Sequence, residues 1–268
     1  LTEGIFDGGT ILWNNGESYE IESSIRGPPV DLSLDTIKNG GQSLIFAETR
    51  TRSASLATKG ADAVSKLLSN SEIKDLEKIS AKLLDGNEHT DLIKTLAALL
   101  KKGVGFHHAG LNQNCREIIE NEFRNGKIKL LASTPTLAAG VNLPARRVVI
   151  SSVARYDVKS GTNKPISVLE YKQLCGRAGR PQYDKYGEAI IVGNANASDL
   201  PDYYINGTPE PIRSQLADDR ALRTHILSHI VTNPGIKTDD LFDFFLKTLA
   251  RLQTRKNTLK FPIDISKR

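Results

Sequence analysis

IKLLASTPTLAAGVNLPARRVVISS occupies positions 128–152. Its two ends, IKLLAS and RVVISS, are apolar runs of strand length with no alternation between apolar and polar residues. A strand open to water on one face alternates, whereas a strand covered on both faces reads as a continuous apolar run. Three further runs of this kind are SLIFA (43–47), VGFHH (104–108) and EAIIVG (188–193). Helical stretches lie between them: one long stretch begins near Thr51, EHTDLIKTLAALLKKG (88–103) stops at a Lys-Lys-Gly end, and NQNCREIIENEFRNG (112–126) stops at Gly126. This order predicts an α/β domain over 38–200, a parallel sheet with helices on both faces.

The flanks differ. IFDGGTILWNNGESYEI (5–21) has turn signals at Gly8-Gly9 and Asn15-Gly16, which predict a hairpin, and Gly27-Pro28-Pro29 reads as a connector. After Pro209 the pattern is helical: Leu216, Leu222, Ile226, Leu227 and Ile230 are close to helical spacing, Asn233-Pro234-Gly235 breaks it, and TDDLFDFFLKTLARL (238–252) begins with acids and ends with bases. The expected organisation is a β-rich connector over 1–37, the α/β domain over 38–200 and the beginning of a small helical domain over 201–268.

The chain has 268 residues, of which 25% are charged and 39% hydrophobic, enough for a sizeable core. Its net charge of +5 suits a nucleic-acid partner and equally an ordinary, slightly basic protein. No apolar run has the length of a membrane span. Cys115 and Cys175 have no zinc-like spacing and fit a reducing, intracellular compartment. With Leu1 first and no methionine, the sequence reads as a segment of a longer protein or as one stripped of its methionines.

The most chemically dressed stretch is YKQLCGRAGRP (171–181). Ser167 and Glu170 predict a capping box that starts a helix carrying Gln173. Gly176 and Gly179 leave the backbone free for Arg177 and Arg180 to project together, and two guanidinium groups three residues apart suit a multiply charged phosphate. The alternative is a pair of surface arginines bonded to Asp184 or Glu188. Because ligands of α/β sheets sit at the carboxyl ends of strands, the segments after 43–47 and 128–133 and the stretch before 188–193 are expected along one edge. No G-x-x-x-x-G-K-[ST] loop and no D-E-x-D or D-E-x-H box occurs, and a chain with phosphate-binding arginines but no such loop can complete a nucleotide site but cannot supply one. His107 and His108 are adjacent on a strand, point to opposite faces and lack ligand-spaced neighbours, which favours a structural role over metal binding.

Taken in order, LIFAETRTRSASLA (44–57), GVGFHHAGL (103–111), STPTLAAGVNLPAR (133–146) and QLCGRAGRP (173–181) resemble the second RecA-like domain of superfamily 2 helicases. The resemblance is to the Ski-like branch, and within it to the archaeal replication-fork-repair DNA helicases related to the helicase part of DNA polymerase theta. It implies a RecA-like domain followed by part of a winged helix, with the phosphate loop and acidic box in a first RecA-like domain of the same protein, and an archaeal, cytoplasmic setting. ATP with Mg²⁺, the metal held by that first domain, and single-stranded or forked DNA are the implied ligands. Gln173, Arg177 and Arg180 match the motif that reaches the ATP phosphates. Gly140 and Asn142 match the motif that couples nucleotide to nucleic acid, although many members carry aspartate at the position of Asn142. Thr49, Arg50, Thr134 and Thr136 match positions that grip the phosphate backbone of one strand, for which simple turn residues are the alternative. The stretch at 151–171 predicts a β-hairpin, which in this family splits the duplex, with Tyr156 stacking on the last base pair. The implied activity is 3′-to-5′ DNA unwinding, with the isolated chain hydrolysing nothing. An RNA helicase of the same branch and a non-catalytic RecA-like binding module are the rivals.

Overall fold

A computed structural model describes residues 1–135, 143–157, 160–180, 183–193 and 199–253. The described residues contain ten strands: β1 (Thr2–Asp7), β2 (Thr10–Trp13), β3 (Ser18–Glu20), β4 (Ser43–Phe46), β5 (Val104–His107), β6 (Leu130–Ser133), β7 (Arg147–Ile150), β8 (Ala154–Asp157), β9 (Thr162–Pro165) and β10 (Glu188–Val192). Eight form one mixed sheet in the order β3-β2-β1-β10-β7-β4-β6-β5. All neighbours from β1 to β5 in that order are parallel, whereas β2 and β3 add antiparallel at one edge. The five apolar runs become β4, β5, β6, β7 and β10, and every residue of β4, β5, β6 and β7 is buried. Two-sided burial is why their sequences do not alternate.

Helices α1 (Pro28–Lys38), α2 (Arg50–Ser65), α4 (Asp91–Leu100), α5 (Gln113–Arg124) and α6 (Val168–Cys175) pack on the sheet, and α3 (Asn70–Asp85) packs on α4 and α5. Each of α2 to α6 begins at a side-chain cap. Thr49, Ser69, Thr90, Asn112 and Ser167 each accept the backbone N–H of the third residue of their helix, satisfying donors that have no intrahelical partner. The long helical stretch expected from Thr51 is in fact α2 and α3, divided at the capping box of Ser69 and Glu72.

Two expectations are corrected here. Gly27-Pro28-Pro29 is a helix start rather than a connector: Gly27 takes φ +89° and Pro28 is the first residue of α1, where the missing N–H costs nothing. Residues 1–37 do not stand apart from the α/β sheet, because β1 pairs parallel with β10 from Thr2↔Glu188 to Phe6↔Val192. The backbone divides into two compact units, Leu1–Pro209 and Glu210–Arg268. The second contains α7 (Asp219–Thr232), α8 (Thr238–Leu246) and α9 (Leu249–Gln253) around a small core of Leu222, Leu241 and Phe245. Among the described residues no helix is long and apolar enough to cross a membrane.

The amino ends of β7 and β10 meet at a buried ion cluster. Arg147, 5% exposed, donates from Nε to Glu188 (2.7 Å) and from Nη1 to Asp35 (2.7 Å) and the Leu32 carbonyl (2.9 Å). Removing one member of a buried ion cluster leaves the others charged and dry, which costs about 3–5 kcal/mol. Arg147→Ala is therefore expected to lower unfolding free energy by that amount in urea denaturation. A loss below about 1 kcal/mol, the range of a surface pair, would contradict this placement.

Candidate functional site

The parallel strands β4, β5 and β6 end in register, with Phe46 opposite Ser133 and His107 opposite Ser133. Their carboxyl ends therefore deliver Thr49 and Arg50, His108, and Thr134 to a common edge. The Thr49 hydroxyl accepts the Arg52 N–H (3.1 Å) as the cap of α2. That bond uses an oxygen lone pair and not the hydroxyl proton. Arg50 is the first residue of α2 and is exposed, so its guanidinium adds to the positive end of a sixteen-residue helix. The Thr134 N–H donates to the His107 carbonyl (3.2 Å), and the Ser133 hydroxyl donates to the same oxygen (2.9 Å). Thr136, Gly140 and Asn142 lie outside the described residues.

The two histidines have structural partners. His107 lies 2.9 Å from Glu120 of α5 through Nε2. Burial pushes its pKa below the ordinary value against the pull of Glu120. His108 accepts the Gly110 N–H on Nδ1 (3.1 Å) and stacks on Phe106 at 5.5 Å. A Cβ added at Gly110 would lie 3.0 Å from His108 Nδ1 and 3.3 Å from Arg50 Nη1, so the arginine and the imidazole flank the same glycine. Burial first, and the nearby Arg50 charge second, lower the pKa of His108. Among the described residues no three His, Cys, Asp or Glu side chains converge as metal ligands.

The arginine stretch is not on this edge. Helix α6 begins after β9, whose partner β8 follows the carboxyl end of β7, and runs back along the sheet. Its eight residues span about 12 Å, close to the length of a four-residue strand. Residues 177–180 therefore arrive at the amino end of β7. The Ala145 N–H donates to the Arg177 carbonyl (2.9 Å), and the Gly179 N–H donates to the Ala145 carbonyl (2.7 Å). Gly179 adopts φ +93°, and a Cβ at Gly187 would stand 2.5 Å from the backbone of Ala178 and Gly179. The glycine at 179 thus serves a left-handed turn packed against the approach to β10. The expectation of one shared edge fails because the helix intervenes between the strand end and the arginines.

Gln173 is exposed on α6, and Arg177 is half-buried. Arg180, 16% exposed, is held on both sides: Nε and Nη2 donate to the two oxygens of Asp184 at 2.7 and 2.8 Å, and Nη1 donates to Gln42 Oε1. Of the carboxylates offered by spacing, Asp184 pairs with Arg180, whereas Glu188 belongs to Arg147. The predicted capping box is half formed. Ser167 accepts the Glu170 N–H (3.0 Å), but the Glu170 carboxylate reaches Arg155 on β8. The predicted hairpin is β8–β9, with Tyr156 opposite Asn163 and 61% exposed. Sequence reasoning did not find Gln42, Arg147 or Arg155; each acts on a residue 15 to 138 positions away, a separation that no local pattern encodes.

The family described as helicase conserved C-terminal domain matches residues 30–182. The chain is 42% identical over 255 residues to the ATP-dependent DNA helicase Hel308 of Methanocella arvoryzae, covering 94% of this chain and 34% of that protein. It is 37% identical to the protein of the same name from Pyrobaculum calidifontis (100% and 37% covered) and 36% identical to that from Caldivirga maquilingensis (97% and 34% covered). The chain thus spans about a third of the length of these curated relatives.

His107 and His108 give this edge a pH dependence. Both fold with pKa values below the ordinary 6.5, so the unfolded chain binds protons first as pH falls. Their contribution to stability is complete above 6.5 and declines below it. His108→Gln is expected to flatten the fall in denaturation midpoint between about pH 7 and pH 5; an unchanged slope would contradict the burial of a neutral imidazole here.

Proposed function

The chain belongs to the helicase conserved C-terminal domain family, and from that premise we propose that it is the second RecA-like domain and the start of the winged helix of an ATP-dependent DNA helicase working 3′ to 5′. The observation that carries this reading is the similarity along 94–100% of the chain to three proteins named ATP-dependent DNA helicase. Those names favour DNA over RNA as the polymer. Retention of both Arg177 and Arg180 favours a catalytic context over a binding module that has lost its chemistry.

In this reading the two edges have different work. At the carboxyl edge, Thr49, Arg50 and Thr134 hold the phosphates of one strand through hydroxyl, guanidinium and main-chain N–H donors, and Thr136 is assigned to the same contact by its motif. Such contacts position a backbone without reading its sequence. At the amino side, Gln173, Arg177 and Arg180 face the phosphates of ATP bound on the first RecA-like domain, and the arginines stabilise charge that develops as the terminal phosphoryl group transfers. Magnesium ligands belong to that first domain. Gly140 and Asn142 belong to the motif that couples nucleotide to nucleic acid. Closure of the cleft on nucleotide and its opening after hydrolysis shift this domain's grip along the strand. The β8–β9 hairpin stands where the duplex parts, with the exposed Tyr156 ring available to stack on the last pair. Single-stranded and forked DNA are the substrates, and residues 201–268 contribute the beginning of the winged helix.

The test is ATP turnover by the full-length protein with single-stranded DNA, with single-stranded RNA or with neither. DNA is expected to stimulate turnover and RNA is not. Arg180→Ala is expected to lower the stimulated rate by about 10³-fold or more, the size of an arginine-finger effect. Stimulation by RNA alone moves the protein to an RNA substrate, and undiminished turnover without Arg180 removes that residue from the nucleotide site.

A further inference from the structure

Arg180 is a long side chain with several rotatable bonds, yet it has little freedom in this fold. Asp184 receives three bonds from it: Nε–H at 2.7 Å, Nη2–H at 2.8 Å and the Arg180 backbone N–H at 3.1 Å. The Asp184 N–H in turn donates to the Arg180 carbonyl at 2.8 Å. The carboxylate is only 6% exposed, so water competes weakly for it. On the other side stands Gln42, 3% exposed. Its Nε2 donates to the carbonyls of Phe123 (2.8 Å) and Ile128 (2.6 Å). Because both of those partners are acceptors, the amide nitrogen must face them, and Oε1 must face Arg180. The Tyr183 ring lies against the guanidinium at 5.4 Å.

This amounts to a clamp. The named bonds occupy three of the five guanidinium N–H donors, the Nε–H and one on each Nη, which leaves one hydrogen on each Nη outside the clamp. The group is planar, so fixing the Nε–Nη2 edge and one side of Nη1 fixes the direction of the remaining donors. A side chain ordered beforehand loses no rotamer freedom when an anion arrives, and placing donors in advance matters most where charge develops.

We propose that Asp184, supported by Gln42, is the positioning residue for Arg180: it acts on the nucleotide through the arginine and does not touch it. The proposal rests on the reading of Arg180 as a phosphate contact. Loss of a partner that aims a catalytic group misplaces that group by about 1 Å, worth about 100-fold in rate. Because the misplacement is felt in the transition state, kcat falls and KM for ATP holds.

The experiment is a double-mutant cycle in the full-length protein, read as kcat and KM for DNA-stimulated ATP hydrolysis. Asp184→Ala is expected to lower kcat by about 10- to 100-fold with KM for ATP within about threefold of wild type. Arg180→Lys keeps a charge but loses the fork, and in that background Asp184→Ala is expected to cost less than about threefold. Asp184→Asn preserves shape and one acceptor, guards against misfolding of the alanine variant and is expected to fall between it and wild type. Equal losses in both backgrounds, or a fall in denaturation midpoint matching the loss of rate, would make Asp184 merely structural and overturn the proposal. Wild-type kcat in Asp184→Ala and Asp184→Asn, beside a strong loss in Arg180→Lys, would overturn the positioning role while leaving Arg180 at the nucleotide. Full activity in Arg180→Lys and Arg180→Ala would overturn the reading of Arg180 itself.

Discussion

A buried guanidinium at the amino end of a strand sets the geometry of this domain. Arg147 is buried, so its position is dictated by the acceptors that stand in for water: Glu188 on β10, Asp35 and the Leu32 carbonyl on α1. One side chain therefore joins two parallel strands and the helix that covers them. Its neighbour Arg146, just before β7, donates to the Asn39 carbonyl (2.8 Å) at the end of α1 and lies over the Tyr186 ring (4.8 Å). Ala145, one step earlier, takes the backbone bonds of the Arg177–Gly179 turn. Three consecutive residues thus fix the sheet, its covering helix and the arginine-bearing turn on one platform.

The carboxyl edge is built differently. It consists of strand ends that pass directly into helix caps or tight turns, and Thr49 and Arg50 there are exposed, whereas Thr134 is buried and its N–H is bonded to the His107 carbonyl. Hydroxyls and a helix terminus suit a ligand that slides, because each contact is weak and independent of sequence. The guanidinium at the other side is ordered by buried partners, which suits a ligand met in one geometry. The eight residues of α6 separate the two, and its first turn is tied to the hairpin by Arg155 and Glu170.

How much of this is legible in the sequence depends on the range of the interaction. The five central strands follow from uninterrupted apolar runs, because two-sided burial leaves a local trace. The caps at Ser167 and Gly126's helix end are local as well, whereas the full box at Glu170 is not formed, since a carboxylate within reach of Arg155 has a charged partner to prefer over a backbone N–H. Helix α1 escaped because Gly-Pro-Pro reads equally as a break and as a first turn. Motif order proposes candidate site residues but not their placement: the spacing of Arg177 and Arg180 carries no information about which end of the sheet they reach. Gln42 gives no signal at all, standing just before an apolar strand 138 positions from the arginine it holds.

The central claim is that strand grip and phosphate contact lie on opposite edges of one domain. It is tested most directly by the affinity of the full-length protein for single-stranded DNA without nucleotide, measured against salt for wild type, Arg50→Ala and Arg180→Ala. Loss of Arg50 is expected to weaken binding and reduce the slope of log affinity against log salt by about 0.7, the value of one single-strand phosphate contact. Loss of Arg180 is expected to leave both affinity and slope at wild-type values. Equal weakening in the two variants would place both arginines on the same strand and contradict the account.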